Sequence, residues 1–188
     1  MSELAVVYTT REGQAEKVAC YIADRLRTPP AAVQVFSTDE APNRLAHFDA
    51  IVVGGSVHFG HHGSDLMEFV RLHLKELAAQ PSAFFSVSAV AGSARGQYAA
   101  QATDYATEFV DQTGWHPDLV GIFAGAIKYT RYGFIKKRVM RQIAERGGES
   151  TDVSRDHELT DWGDVDAFAD DILIHLARVT AAPNAVAH

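Results

Sequence analysis

Five short apolar runs punctuate the chain, at residues 4–8, 33–36, 50–53, 83–87 and 119–124, each bounded by polar or turn-forming residues. They read as continuous apolar runs rather than alternating ones, so they look buried on both faces, which is what a parallel sheet covered by helices requires. Between the runs the period changes from continuous to helical. Ala15, Val18, Ala19, Ile22 and Leu26 recur at helical spacing, as do Leu66, Phe69, Val70, His73 and Leu77, and then Tyr98, Ala102, Tyr105, Ala106, Phe109 and Val110. The alternation of strand and helix predicts a doubly wound α/β sandwich. Residues 37–49 carry Pro42, and residues 43–48 are expected to form a turn of helix. After the fifth run a long excursion over residues 125–160 precedes a last helix, with Thr160 or Asp161 as its N-cap and Trp162, Val165, Phe168, Ala169, Ile172, Leu173 and Leu176 on its apolar side. Residues 1–177 read as one domain containing the excursion, and residues 178–188 as a frayed tail.

Composition narrows the class. A length of 188 residues suits one core, and 47% hydrophobic with 22% charged residues is the profile of an ordinary folded protein. A formal charge of −7 argues against a nucleic-acid binder, which needs a cationic face. Cys20 stands alone, which excludes an internal disulfide or a thiolate cluster within one chain, and a cytoplasmic setting is expected. Cys20 falls in the first helical pattern, where it reads as a small apolar core filler. No secretory leader is evident, and no run approaches the length of a bilayer span, so membrane contact is expected to be peripheral.

Candidate chemistry lies in the loops beyond the carboxyl ends of the first, third and fourth strands, where a doubly wound sheet binds its ligands. The first, Thr9-Thr10-Arg11-Glu12-Gly13-Gln14-Ala15, offers hydroxyls, a glycine turn and free N–H groups at a helix start. That is a seat for a phosphate, or simply a helix cap. No G-x-x-x-x-G-K-[ST] and no G-x-G-x-x-G follows the first strand, which removes the P-loop and dinucleotide readings. The second loop, Gly54-Gly55-Ser56-Val57-His58-Phe59-Gly60-His61-His62-Gly63, combines backbone freedom with rings. Phe59 or His58 is placed to stack on a flat ring such as an isoalloxazine, or is a surface-loop anchor. His58, His61 and His62 lack nearby carboxylates, so they read as exposed or cofactor-facing rather than as zinc ligands. Ser56 is not in a G-x-S-x-G elbow. The third loop, Ser88-Ala89-Val90-Ala91-Gly92, is small and backbone-rich, as a wall around a ring edge or as a plain turn.

Together with Pro81-Ser82-Ala83-Phe84-Phe85-Ser86-Val87, Gly125-Ala126-Ile127-Lys128-Tyr129-Thr130-Arg131-Tyr132, Gly147-Gly148-Glu149 and Thr160-Asp161-Trp162, these loops form an ordered set. Nearly end to end, the chain resembles the bacterial quinone-dependent (menaquinone-dependent) protoporphyrinogen oxidases, flavodoxin-like enzymes of haem biosynthesis. The resemblance implies a flavodoxin-like five-stranded parallel sheet in the order 2-1-3-4-5, with helices on both faces and an insertion after strand five. It also implies FMN as cofactor, held by Thr9, Thr10, Arg11, Glu12, Gly13, Gln14 and Ala15, by Ser56, Val57, His58, Phe59 and Gly60, and by Ser88, Ala89, Val90 and Ala91. Ala15 stands where a threonine hydroxyl would usually help to hold the phosphate. The activity implied is oxidation of protoporphyrinogen IX to protoporphyrin IX, with electrons passing through FMN to menaquinone or ubiquinone. His58 or His61 is available as a proton acceptor, and no residue is assigned as catalytic.

Residues 128–146 hold seven of the 17 Lys and Arg residues against one acid, Glu145. On a helical wheel Tyr132, Ile135, Val139, Met140 and Ile143 share one side, Lys137, Arg138 and Arg141 lie opposite, and Lys136 and Arg146 flank the apolar edge. Such a segment suits an anionic membrane surface, the propionates of a porphyrinogen through Lys128, Arg131 and Lys137, or a solvated face packed on the domain. Self-association through it is a further expectation. A flavodoxin-type electron carrier, or an NAD(P)H-linked quinone or flavin reductase, would use the same cofactor loops; a carrier would not explain the basic segment, since carriers usually present an acidic face.

Overall fold

The computed structural model describes residues 2–92, 96–127 and 157–181. Lys128, Arg131 and Lys137, the rest of the basic segment and residues 182–188 lie outside them.

Five strands, β1 (Glu3–Thr9), β2 (Ala32–Ser37), β3 (Ala50–His58), β5 (Ser82–Ser88) and β6 (Leu119–Ala124), form one parallel sheet in the order β2-β1-β3-β5-β6. This is the expected 2-1-3-4-5 order. A two-residue strand, β4 (His61–His62), pairs antiparallel with the far end of β3, and β7 (Ala126–Ile127) pairs with β8 (His157–Glu158) in a separate ladder. The helices are α1 (Gln14–Leu26), α2 (Ser64–Leu72), α3 (Leu74–Ala79), α4 (Gly96–Thr113) and α5 (Trp162–Ala181).

β1, β3 and β5 are buried on both faces, so their side chains feed two cores; the edge strands β2 and β6, also expected to be buried on both faces, are only partly so, with Gln34 and Val120 exposed. One holds Leu4, Val6, Val52, Phe85 and Val87 against Val18, Ile22 and Leu26 of α1 and Val165, Phe168 and Ile172 of α5. The other holds Val7, Ile51, Val53 and Phe84 against Leu66, Phe69 and Val70 of α2, Phe109 of α4 and Trp115. The Trp115 indole is fully buried, and its Nε1 donates to Ser82 Oγ at 3.2 Å, so burial leaves no orphan donor there. Polar contacts clamp α1 to α5 at the surface: Tyr21 Oη donates to Asp166 at 3.0 Å, and Arg25 reaches Asp166 and Asp170.

Four local expectations are corrected. Residues 43–48 form no helix; they make a turn closed by Phe48 N–H donating to Leu45 O at 3.0 Å, with Leu45 and Phe48 plugged into the core instead. Cys20 is exposed, because the buried stripe of α1 runs through Ala19 and Ala23 and leaves position 20 on the outer side. The pattern over residues 66–77 splits into α2 and α3 at His73, whose Nδ1 bonds Glu76 Oε2 at 2.8 Å. The last helix continues to Ala181, beyond the predicted start of the tail.

Candidate functional site at the carboxyl ends of β1, β3 and β5

The chain leaves β1 toward β2 on one side and reaches β3 on the other, so the topological switch lies between β1 and β3. The register brings the strand ends level: Thr9 opposite Gly55, Gly55 opposite Ser86, and Ser88 opposite Ala124. The loops predicted to bind a cofactor therefore open onto one edge of the sheet.

After β1 the backbone turns through Gly13, whose φ of 86° lies in the left-handed region that glycine adopts without strain. Thr10 Oγ1 accepts from Gly13 N–H at 2.9 Å, which tightens the loop into a cradle ahead of α1. A helix start presents N–H groups without intrahelical partners and a partial positive charge, suited to an anion. Arg11 is exposed, while Glu12 is half-buried. Ala15 is fully buried against the sheet, so its methyl faces the core and only its N–H can serve a ligand. On the α1 side, burial and a hydrogen bond to Glu16 push the Tyr8 phenol up to about 12, keeping it a neutral donor.

Gln14 is buried, at 4% exposure, and its Nε2 donates to Thr160 Oγ1 at 2.8 Å. Thr160 Oγ1 in turn donates to Ala124 O at 2.7 Å. Asp161, not Thr160, caps α5, its Oδ1 accepting from Gly163 N–H at 2.8 Å. Gln14 Oε1 is left buried without a partner.

The second loop is largely strand. β3 continues through Gly54, Gly55, Ser56, Val57 and His58, and only Phe59 and Gly60 turn, before His61 and His62 pair back with His58 and Val57. The two glycines serve core packing rather than ligand approach: a Cβ on Gly54 would lie 2.3 Å from the Phe85 ring, and one on Gly55 would lie 2.8 Å from Thr9 Oγ1. Phe59 and Gly60 both have positive φ, 51° and 88°, as a two-residue hairpin of the primed kind requires. Phe59 is 89% exposed at the tip, and Ser56, Val57 and His58 are half-buried behind it.

The three histidines diverge. His61 is exposed, its Nδ1 3.8 Å from Glu108 Oε1. His62, expected at the surface or facing a cofactor, is instead only 7% exposed; its Nε2 is 3.2 Å from Ser86 Oγ, and its ring is edge-on to Phe84 and Phe109. Burial lowers its pKa to about 4, so it is neutral near pH 7. A period-two reading of the short strand separates the outward His61 from the inward His62.

At the third wall, Ser88 ends β5, and Ala89, Val90 and Ala91 lie in a 3₁₀ turn, Ala89–Gly92. Ser88 Oγ is another buried polar atom without a partner, and Gly125 N–H donates to Ser88 O at 2.9 Å. Beyond Gly125 the chain enters the β7–β8 ladder, which brings the two ends of the excursion side by side; Leu159 N–H then donates back to Gly125 O at 3.1 Å.

An anion cradle, an exposed ring on a hairpin tip and buried polar atoms without partners, Gln14 Oε1, His62 Nδ1 and Ser88 Oγ, fit a phosphorylated aromatic cofactor better than a metal or a nucleophile. The flavodoxin domain model matches residues 5–154. The chain is also 32% identical over 169 residues, 89% of its own length and 92% of the other's, to the protein named protoporphyrinogen IX dehydrogenase (quinone) of Escherichia coli strain K12. The chain belongs to this family of flavodoxin-fold oxidoreductases. A similarly named protein of Leishmania major is 32% identical over 182 residues, covering 96% of this chain and 78% of that one. The fold of this chain also aligns with a short-chain flavodoxin associated with a bacterial microcompartment, at 15% identity and a TM-score of 0.54 over 94% of this chain and 99% of that one. Thr160 belongs to one of the motifs that carry the resemblance, Thr160-Asp161-Trp162, but its place beside Gln14 cannot be read from two positions 146 residues apart.

Proposed function

We propose that this protein binds FMN and oxidises protoporphyrinogen IX to protoporphyrin IX, with a quinone as the final electron acceptor, in haem biosynthesis. The observation that carries this reading is likeness to named protoporphyrinogen IX dehydrogenases over 89% and 96% of the chain, which takes in the excursion that a plain flavodoxin core does not need.

The Thr10–Gln14 cradle and the first N–H groups of α1 hold the phosphate; Thr9, Arg11, Glu12 and the Ala15 N–H complete that side. Phe59, carried on the hairpin with Ser56, Val57, His58 and Gly60, covers one face of the ring, and Ser88 with the Ala89–Ala91 backbone borders its edge. The flavin supplies the two-electron chemistry when bound. The chain's own task is to position the macrocycle, exclude water and take up protons, with His58 or His61 as acceptors at the hairpin. Lys128, Arg131 and Lys137 meet the propionates, and the surrounding basic segment adds attraction to an anionic membrane surface, about 1 kcal/mol per cation near the headgroups. Among the described residues no helix is long and apolar enough to cross a membrane.

The test is anaerobic: FMN-loaded protein with protoporphyrinogen IX and a soluble quinone, followed by porphyrin fluorescence against a control without protein. FMN-dependent porphyrin formation is the expected result. A flavin-loaded protein that gives no rate above control but passes electrons to a protein acceptor overturns it in favour of an electron carrier.

A further inference from the structure

The proton inventory of one partly buried relay bears on a residue outside the cofactor loops. Thr160 has a single hydroxyl proton. Ala124 O, 2.7 Å away, can only accept, so that proton is committed to it. Toward Gln14, 2.8 Å away, Thr160 Oγ1 is therefore left as an acceptor, and the glutamine must turn its Nε2 to it. The opposite amide orientation would set two acceptors against each other or strip the Ala124 carbonyl of its donor, in a place where an unmet polar group is expensive. A backbone carbonyl at the end of β6 thus dictates which end of the Gln14 amide remains available: Oε1, buried in a residue 4% exposed and without a partner.

An acceptor is the wrong group for a phosphate dianion, which offers only acceptors of its own. It needs a hydroxyl or an N–H. In FMN the phosphate continues directly into the ribityl chain, whose hydroxyls are the donors nearest to it. We propose that Thr160 is a positioning residue for the cofactor: by fixing the Gln14 amide it presents Oε1 to a ribityl hydroxyl, so the start of α1 reads the sugar-alcohol chain as well as the phosphate. The inference rests on the FMN reading above and adds a residue to it.

Two measurements test it. FMN dissociation constants from flavin fluorescence quenching are compared for the wild type, Thr160→Val, Thr160→Ser, Gln14→Met and the Gln14→Met/Thr160→Val pair. Thr160→Val is expected to weaken FMN about tenfold, the worth of one buried hydrogen bond. Thr160→Ser keeps the hydroxyl and stays within about twofold of wild type, and the double variant is no weaker than Gln14→Met alone, because both remove the same interaction. In the FMN-free protein, the Gln14 side-chain amide protons are expected to be protected from exchange and to lose that protection in Thr160→Val. Either variant interrupts the relay, so one that folds suffices, and Asp161 keeps the α5 cap in both. Unchanged FMN affinity in Thr160→Val, additive losses in the double variant, or an unprotected Gln14 amide in the wild type overturns the inference while leaving the FMN reading intact. A wild-type protein that does not bind FMN overturns both.

Discussion

The turns that end β1 and β3 face the same edge of the sheet and are built in opposite ways. The first keeps its strain low, with glycine at the one left-handed position, and is fixed by polar bonds from Thr10, Gln14 and the distant Thr160. The second accepts a phenylalanine at φ 51°, holds only two rungs of ladder, and turns one side chain inward, His62, edge-on against the stacked rings of Phe84 and Phe109. Backbone donors that must converge on an anion need a rigid, unstrained cradle; a ring that must cover a flat ligand needs a stiff tip and tolerates strain at its apex. On the proposed function, the first turn is the one built to grip and the second the one built to cover.

The contrast breaks most visibly at His62. His62→Ala removes the bond to Ser86 and the edge-on contacts with the stacked rings of Phe84 and Phe109, and is expected to cost about 3 kcal/mol in urea unfolding, against nearly nothing for His61→Ala at the exposed neighbouring position. The same residue gives the hairpin a pH signature. Its folded pKa of about 4 lies below the ordinary 6.5, so the unfolded chain binds the extra proton between those values. Its contribution is then complete above about pH 6.5 and is lost progressively as pH falls toward 4, roughly 3 kcal/mol in all. His62→Leu should flatten that part of the stability profile; a slope identical to wild type would assign the acid sensitivity elsewhere.

Smaller effects separate grip from cover. Thr10→Ala is expected to cost about 1 kcal/mol of stability and to weaken FMN, both read from thermal melts with and without the cofactor. Phe59→Gly relaxes the left-handed apex, and should leave the FMN-free protein as stable as wild type or up to about 1 kcal/mol more stable while weakening FMN. If Phe59→Gly lowered stability and left FMN binding untouched, the tip would be a structural plug and not a cover.

Much of this was legible because the five strands announce themselves: a continuous run such as Ala5-Val6-Val7 has no polar face to offer water, so it must lie between two layers. The helices of the two layers followed from their stripes. What misled was Gly54-Gly55, which looks like a turn. It is strand because the Phe85 ring and the Thr9 side chain occupy the space where Cβ atoms would stand, a constraint set by neighbours in space. Consecutive histidines hid the alternation that buries His62, and Cys20 was misjudged by one position on a helical wheel whose stripe was otherwise right. At the site, the cradle and the exposed Phe59 could be anticipated from local turn chemistry, whereas the Gln14–Thr160–Ala124 relay joins three distant parts of the chain and leaves no local signature.

The ladder of Ala126–Ile127 with His157–Glu158 bears on how such a protein could arise and be rebuilt. Antiparallel pairing returns the chain to the place it left, so everything between the two short strands is spliced into the sandwich at a single point. The parent sheet needs no rerouting to accept or lose it. That makes the junction a natural graft site, where one catalytic body can trade one accessory segment for another while the strand order, the cradle and the cap of α5 remain as they were.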